Sequence, residues 1–389
     1  MYKRWSKPKV KIPRGVIIAV CTLPAVLTGL FYMLRNTGGV MDWAARRISA
    51  PVRGFMGMLS SVYPFSVMEI LITASGIWLI YYIIKTVMVT VRRRGKLKIL
   101  GTRLLLPVVA GLYFYCLFCW VWNSGYHAPG FAERNGFDGG GVSVEDLASV
   151  TRYFAEQANN LAPQMERDGE GRYAGDRGTM LAASTGIYGN LSIEFPSLGG
   201  RIYAPKPMLY SWLMSRTGYT GVYFALTGES NINTRMPSFL MPATVSHELA
   251  HQLGVFAEDE ASFVGIAACT GSGDAVFGYA GYLSGLMYLM NALMPADTDA
   301  WYEISDSLCP EIREDWQENY DYWQSQKKVE TGINFIDRIL TSVTLSMSEA
   351  VDTVYDGYLK SQNQELGIKS YGACVDLLVE YYIGSYTTQ

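Results

Sequence analysis

Long uncharged runs punctuated by clusters of basic residues dominate the first third of the chain. Gly15 to Leu34 and Leu104 to Trp122 carry no charge, and Val67 to Ile84 is apolar apart from Glu69 near its start. Lys85 is placed to snorkel at the end of the middle run. About 20 apolar residues suffice to cross a bilayer as a helix. The pattern therefore predicts three spanning helices, at 15–34, 67–84 and 104–122. Lys3, Arg4, Lys7, Lys9, Lys11 and Arg14 precede the first run, and Arg92, Arg93, Arg94, Lys96, Lys98 and Arg103 fill the loop between the second and third. Both clusters belong on the cytoplasmic side, with Arg35, Arg46, Arg47 and Arg53 in the first loop a weaker competing signal. Three crossings then leave everything after about Asn123 outside the cytoplasm. The first run is too long, and lacks the cleavage context, for a removed signal peptide.

The pattern changes after the third run. Residues 135–141, rich in glycine, read as a flexible linker that divides a membrane anchor (1–134) from a domain (142–389). Ser143 caps a helix whose apolar face is Leu147, Val150, Phe154 and Ala158, with Asp146 completing a capping-box variant. A helix is predicted over 207–214 and a short strand over 221–227, rich in aromatic and β-branched residues and leading to the turn at Gly228. Helical periodicity returns at 301–326, 334–361 and 371–382. Phe263 to Met294 is apolar almost throughout, broken by Thr270-Gly271-Ser272-Gly273-Asp274. Two buried core helices are expected here, because no basic cluster anchors the far end; a fourth span at 276–294 is the alternative. The expected fold class is mainly α: three N-terminal transmembrane helices followed by a mostly helical α+β domain.

Composition narrows the partners. Net charge is −3 and basic runs occur only beside the apolar segments, so nucleic acid is excluded as a partner. The low charged content, 17%, fits a protein whose first partner is the lipid bilayer. Cys21, Cys116 and Cys119 fall in apolar spans, leaving Cys269, Cys309 and Cys374, an odd number that argues against a disulfide framework.

The chemistry concentrates at His247-Glu248-Leu249-Ala250-His251, which takes two of only three histidines in the chain. Residues four apart share one helix face, so both imidazoles can reach a single metal ion while Glu248 points at its open position. That is the zinc-hydrolase arrangement: two nitrogens, a carboxylate base and an activated water. The remaining histidine, His127, follows the third apolar run and is a poor ligand candidate. A third ligand is better sought among acids. Gly254 can end the helix in a left-handed conformation and turn the chain back toward the metal. Glu258 is then the expected third ligand, with Glu260 as the substitute.

The segment after the turn also resembles gluzincins, zinc peptidases with a glutamate ligand, which commonly carry Glu-x-x-Ala or Glu-x-x-Ser followed by a polar residue. Glu258, Ala261 and Ser262 follow that order, which implies that Ser262 orients a ligand histidine. Ala257 stands where metzincins place a third histidine, which excludes that group.

Across nearly its whole length the chain resembles a bacterial group known as domain-of-unknown-function family 3810. The likeness rests on Pro64-Phe65-Ser66-Val67, on Gly228-Glu229 with Asn231, and on His247-Glu248-Leu249-Ala250-His251-Gln252 with Glu258-Asp259-Glu260-Ala261. Tyr358-Leu359-Lys360 and Ser370-Tyr371-Gly372 extend it to the end. Ser262 departs from an expected Asn, and Leu253 from a common basic residue. The resemblance implies a multi-pass protein of the bacterial cytoplasmic (inner) membrane with a gluzincin-like zinc motif; it supplies no substrate.

The expectation is a membrane-anchored zinc metallopeptidase with a zincin-like extracytoplasmic domain. His247, His251 and Glu258 hold zinc, Glu248 is the catalytic base, and Tyr371 is the expected oxyanion donor. The strand at 221–227 is expected to hold a peptide or protein substrate as an added strand. The alternative is a non-catalytic sensor or scaffold on a remnant zinc fold. A transporter is disfavoured, because the spans hold no central charged pair or broken-helix repeat.

Overall fold

The computed structural model describes residues 13–92, 96–138, 141–328, 334–362, 364 and 371–386. The basic residues at 3–11, Arg93, Arg94, the side chains of Lys96 and Lys98, and Gly139 and Gly140 of the expected linker lie outside the described residues.

Among the described residues, three helices are long and apolar enough to cross a membrane. The first is α1, Arg14–Leu34. It is followed by two short helices of the first loop, α2 (Gly38–Ala44) and α3 (Ala50–Ser60), joined by a π-helical turn, and then by the second span, α4 (Val67–Arg92). The third span comprises α5 (Lys96–Phe118), a π turn at Cys119–Asn123 and α6 (Ser124–Tyr126). Most span residues turn bare apolar side chains outward, as a lipid-covered surface requires. Tyr113 donates to the Val20 carbonyl at 2.9 Å and Trp120 Nε1 to the Leu27 carbonyl at 3.1 Å, holding α5 and its continuation against α1.

After α7 (Phe131–Asn135) the chain builds its main core from α8 (Val144–Leu161) and later helices. The short α9 (Arg177–Ala183) and α10 (Leu191–Glu194) lead to β1 (Lys206–Pro207), α11 (Ser211–Thr217), β2 (Gly221–Phe224) and β3 (Glu229–Ile232). Then come α12 (Met241–Leu253), α13 (Glu258–Thr270), α14 (Ala275–Ala296), α15 (Thr298–Ser307), α16 (Pro310–Gln326), α17 (Asn334–Ser361) and α18 (Tyr371–Tyr386). The sheet has the order β1-β3-β2. β1 runs parallel to β3 (Lys206 opposite Asn231), and β2 runs antiparallel to it (Tyr223 opposite Ser230).

The apolar stretch 263–294 lies in the core. α13 and α14 meet at the glycine-rich turn, and Phe263, Phe277, Tyr279, Leu283 and Leu286 are buried with Phe154 of α8 and Leu378 of α18. Ser143 caps α8, accepting from Asp146 N at 3.0 Å, as the capping pattern predicts.

Three local expectations need correction. The helix expected over 207–214 starts at Ser211, because Pro207 pairs in β1 and the amides of Leu209 and Tyr210 bind the Glu69 carboxylate. The helix expected over 301–326 is two helices, since Pro310 cannot continue an earlier helix and starts a new one. Phe137, within the expected linker, is not free: its ring lies 5.4 Å from that of Phe263 in an edge contact.

Carboxylates fasten the domain to the anchor. Glu229 of β3 accepts from the amides of Val67 and Met68, both at 2.9 Å, at the start of the second span. Glu69 returns the arrangement, accepting from Leu209 N at 2.9 Å and Tyr210 N at 2.8 Å. The first amides of a helix lack intrahelical partners and carry the positive end of its dipole, so a carboxylate is the natural counterpart for α4. Arg53 of α3 donates to the carbonyls of His251 and Gln252 at 3.0 and 3.2 Å, closing the C-terminal end of α12.

Candidate metal centre

α12 and α13 cross where α13 has no side chain. A Cβ at Gly265 would stand 2.8 Å from the His247 backbone nitrogen, so only glycine lets the two helices approach so closely. Gly254 ends α12 with a φ of 99°, and its amide bonds the His251 carbonyl at 3.1 Å, a left-handed cap that reverses the chain toward the start of α13. The reversal brings Glu258, the first residue of α13, against the histidine face of α12.

Three ligand atoms, from His247, His251 and Glu258, lie within 4.8 Å of one another. Glu258 Oε2 is 3.2 Å from His247 Nε2 and 3.5 Å from His251 Nε2. Tetrahedral zinc with bonds of about 2.1 Å separates its ligand atoms by roughly 3.4 Å, and both nitrogen-to-oxygen separations match that spacing. The other ring nitrogens are engaged. His251 Nδ1 lies 2.7 Å from the Val255 carbonyl, which can only accept, so this nitrogen carries the proton and Nε2 of the neutral ring keeps its lone pair. His247 Nδ1 lies 3.2 Å from Ser262 Oγ, which accepts from the Tyr288 hydroxyl at 3.3 Å. Ser262 thus occupies the orienting place that its position after Ala261 implies.

Glu260 does not serve as a substitute ligand. Two residues along a helix turn the direction by about 200°, so Glu260 points away from the histidines when Glu258 points toward them. Its carboxylate accepts instead from the amides of Phe131 and Ala132 at 2.8 and 2.9 Å, capping α7. His127 takes no part in the cluster and packs its ring 5.9 Å from that of Phe31. Tyr371 opens α18, and its side chain lies outside the described residues.

Glu248 is buried beside the cluster, and among the described residues its Oε2 has no hydrogen-bond partner. Gly221 of β2 leaves room for it: a Cβ there would lie 2.5 Å from Glu248 Oε1. Burial raises the Glu248 carboxyl above its ordinary range, against the opposing pull of His247 and His251. In the metal-free protein, burial disfavours charge on His251, but the Glu258 carboxylate outweighs it and lifts the imidazole to about 9. Glu258 is held well below the ordinary carboxylate range; its burial works the other way and is overcome by the two imidazoles.

Sequence reasoning missed the aromatic shell. The Tyr355 hydroxyl of α17 donates to Glu258 Oε1 at 2.6 Å, and burial keeps this phenol protonated far above its ordinary range. Tyr219 packs edge-on to Tyr355 at 5.9 Å. Trp122, from the end of the third span, stands edge-on to the His251 ring at 5.7 Å and packs 5.3 Å from Tyr223. The helical reading of 334–361 places Tyr355 on an element, but nothing in its spacing points to Glu258.

Residues 45–379 match the family model described as Protein of unknown function (DUF3810), and the chain belongs to that family. No curated protein and no solved structure matches it.

Proposed function

We propose that this member of the DUF3810 family is a membrane-anchored zinc metallopeptidase of the gluzincin type, facing the outside of the bacterial cytoplasmic membrane. One observation carries the reading: the two Nε2 atoms and Glu258 Oε2 converge, while the buried Glu248 carboxylate beside them has an oxygen with no partner among the described residues. A structural site has no use for that second, unsatisfied acid; a hydrolase does.

His247, His251 and Glu258 would hold the ion, oriented by Ser262, the Val255 carbonyl and Tyr355. A bound zinc ion supplies Lewis acidity, acidifying water and polarising a carbonyl. Glu248 would take the proton of the attacking water and return it to the leaving amine. β2 is an edge strand of the sheet and touches Glu248 through Gly221, so an extended peptide adding to that edge would present its carbonyls beside the base. Tyr371 remains the oxyanion donor proposed from the sequence.

The test uses the full-length protein purified in detergent. Stoichiometric zinc is expected in the wild type and in Glu248→Gln, and none in His251→Ala. The wild type should cleave members of a random peptide library, with Glu248→Gln slower by roughly 10²–10⁴-fold. Absence of zinc defeats the metal site. Stoichiometric zinc without turnover favours the sensor or scaffold reading, and an active Glu248→Gln removes the base assignment.

A further inference from the structure

The loop between the first two spans holds an amphipathic helix with its two faces in opposite roles. In α3, Arg53, Gly57 and Ser60 are buried against the domain. Arg53 binds the end of α12, and Gly57 lies so close to Tyr203 that a Cβ would stand 2.8 Å from its ring. Val52, Phe55, Met58 and Leu59 are exposed, Phe55 at 56% and Leu59 at 47%. At 100° per residue these four fall within an arc of about 120°, opposite the buried trio. The bare surface continues through Val62, Tyr63 and Phe65 into Ile70, Leu71 and Ile72 in the first turns of the second span.

We infer that α3 is an interfacial helix whose apolar face lies in the lipid bilayer, and that it holds the metal centre at the membrane surface. Lipid is the occupant because the patch is continuous with the lipid-facing side of α4 and is tethered to it by only the six residues 61–66. At eleven residues α3 is about 16 Å long, too short to cross a bilayer, so a bare apolar face on it lies along the membrane surface. Its other face grips α12, so the carbonyl of the ligand residue His251 sits one helix thickness, about 10 Å, from the lipid-facing surface. A second contact places the site at the same level. Trp122 touches the His251 ring only five residues beyond Leu117, whose side chain is bare among the lipid-facing residues of α5.

The full-length protein in phosphatidylcholine vesicles tests this independently of any hydrolysis. Phe55→Cys, Leu59→Cys and, as a water-facing control, Glu170→Cys each carry a nitroxide, and relaxation by oxygen is compared with relaxation by a water-soluble nickel chelate. A several-fold higher oxygen-to-chelate ratio at 55 and 59 than at 170 is expected. Ratios equal to that at 170 would overturn the inference. Spin–spin broadening at 55 and 59, with both relaxants excluded, would also overturn it by showing a second copy on this face. A wild-type melting temperature in the labelled variants establishes that the fold behind the patch is intact, whether or not the protein holds zinc.

Discussion

Tyr355 donates to Glu258 Oε1 at 2.6 Å and so leaves Oε2 of the same carboxylate to face His247 and His251 at 3.2 and 3.5 Å. One hydroxyl thereby fixes which oxygen faces the two imidazoles, the place the proposed metal would take. Partners of this kind are worth roughly 10–100-fold in metal affinity. Tyr355→Phe is expected to weaken zinc binding by about that factor while full loading persists at saturating zinc. Competition against a chromophoric chelator measures it, and an unchanged affinity would remove Tyr355 from the site.

On the proposed reading zinc would displace a proton from His251, whose imidazole the Glu258 carboxylate lifts to about 9 against the effect of burial. Apparent affinity should therefore rise about tenfold per pH unit up to pH 9 and flatten above it. Stability of the metal-free protein moves the other way. A group whose folded pKa is raised stabilises fully below its unfolded value of about 6.5, and that contribution fades as pH rises toward 9. Glu258, with its pKa depressed, stabilises above about 4.5 and loses that contribution as pH falls. Chelator competition and thermal melts of metal-free protein across pH 5–10 should show these opposite slopes; parallel slopes would contradict the pairing.

Gly265→Ala puts a methyl group 2.8 Å from the His247 backbone nitrogen. The α12–α13 crossing must then open, which should cost on the order of 1–3 kcal/mol and lower zinc occupancy together. Melting temperature and metal content read the two effects. Gly101→Ala, where a Cβ meets open space, serves as the control and should change neither.

Arg53→Met keeps the bulk of the side chain but removes the donors to the His251 and Gln252 carbonyls. Charge-assisted bonds of this kind contribute about 1.5–3 kcal/mol each way of counting, so a loss of roughly 2 kcal/mol is expected. Thermal unfolding in detergent reports it. No shift would mean that α3 is not fastened to α12 as the geometry requires.

Much of the site was legible because it is local. The four-residue spacing of His247 and His251 needs only a helix, and Gly254 announces where that helix ends. Ser262 follows from its place relative to Glu258 on the same helix. Arg53, Trp122 and Tyr355 were invisible, since each reaches the site from a position 97 or more residues away from its partner in the chain. The first loop was read only for its charges. In the structure Arg53 is buried and serves a helix end, so that charge is spent on packing.

Helix periodicity, run length and caps are properties of neighbouring residues, and so the sequence by itself determined three apolar spans, a mostly helical domain and a histidine pair on one face. The choice between Glu258 and Glu260 belonged to the tertiary structure. Both carboxylates are close in the chain, but the phase of α13 and its crossing with α12 send one to the imidazoles and the other to the amides of α7. The docking of α3 and the spans against α12 was decided there too, because contacts between distant segments depend on how whole elements pack, which no local pattern encodes.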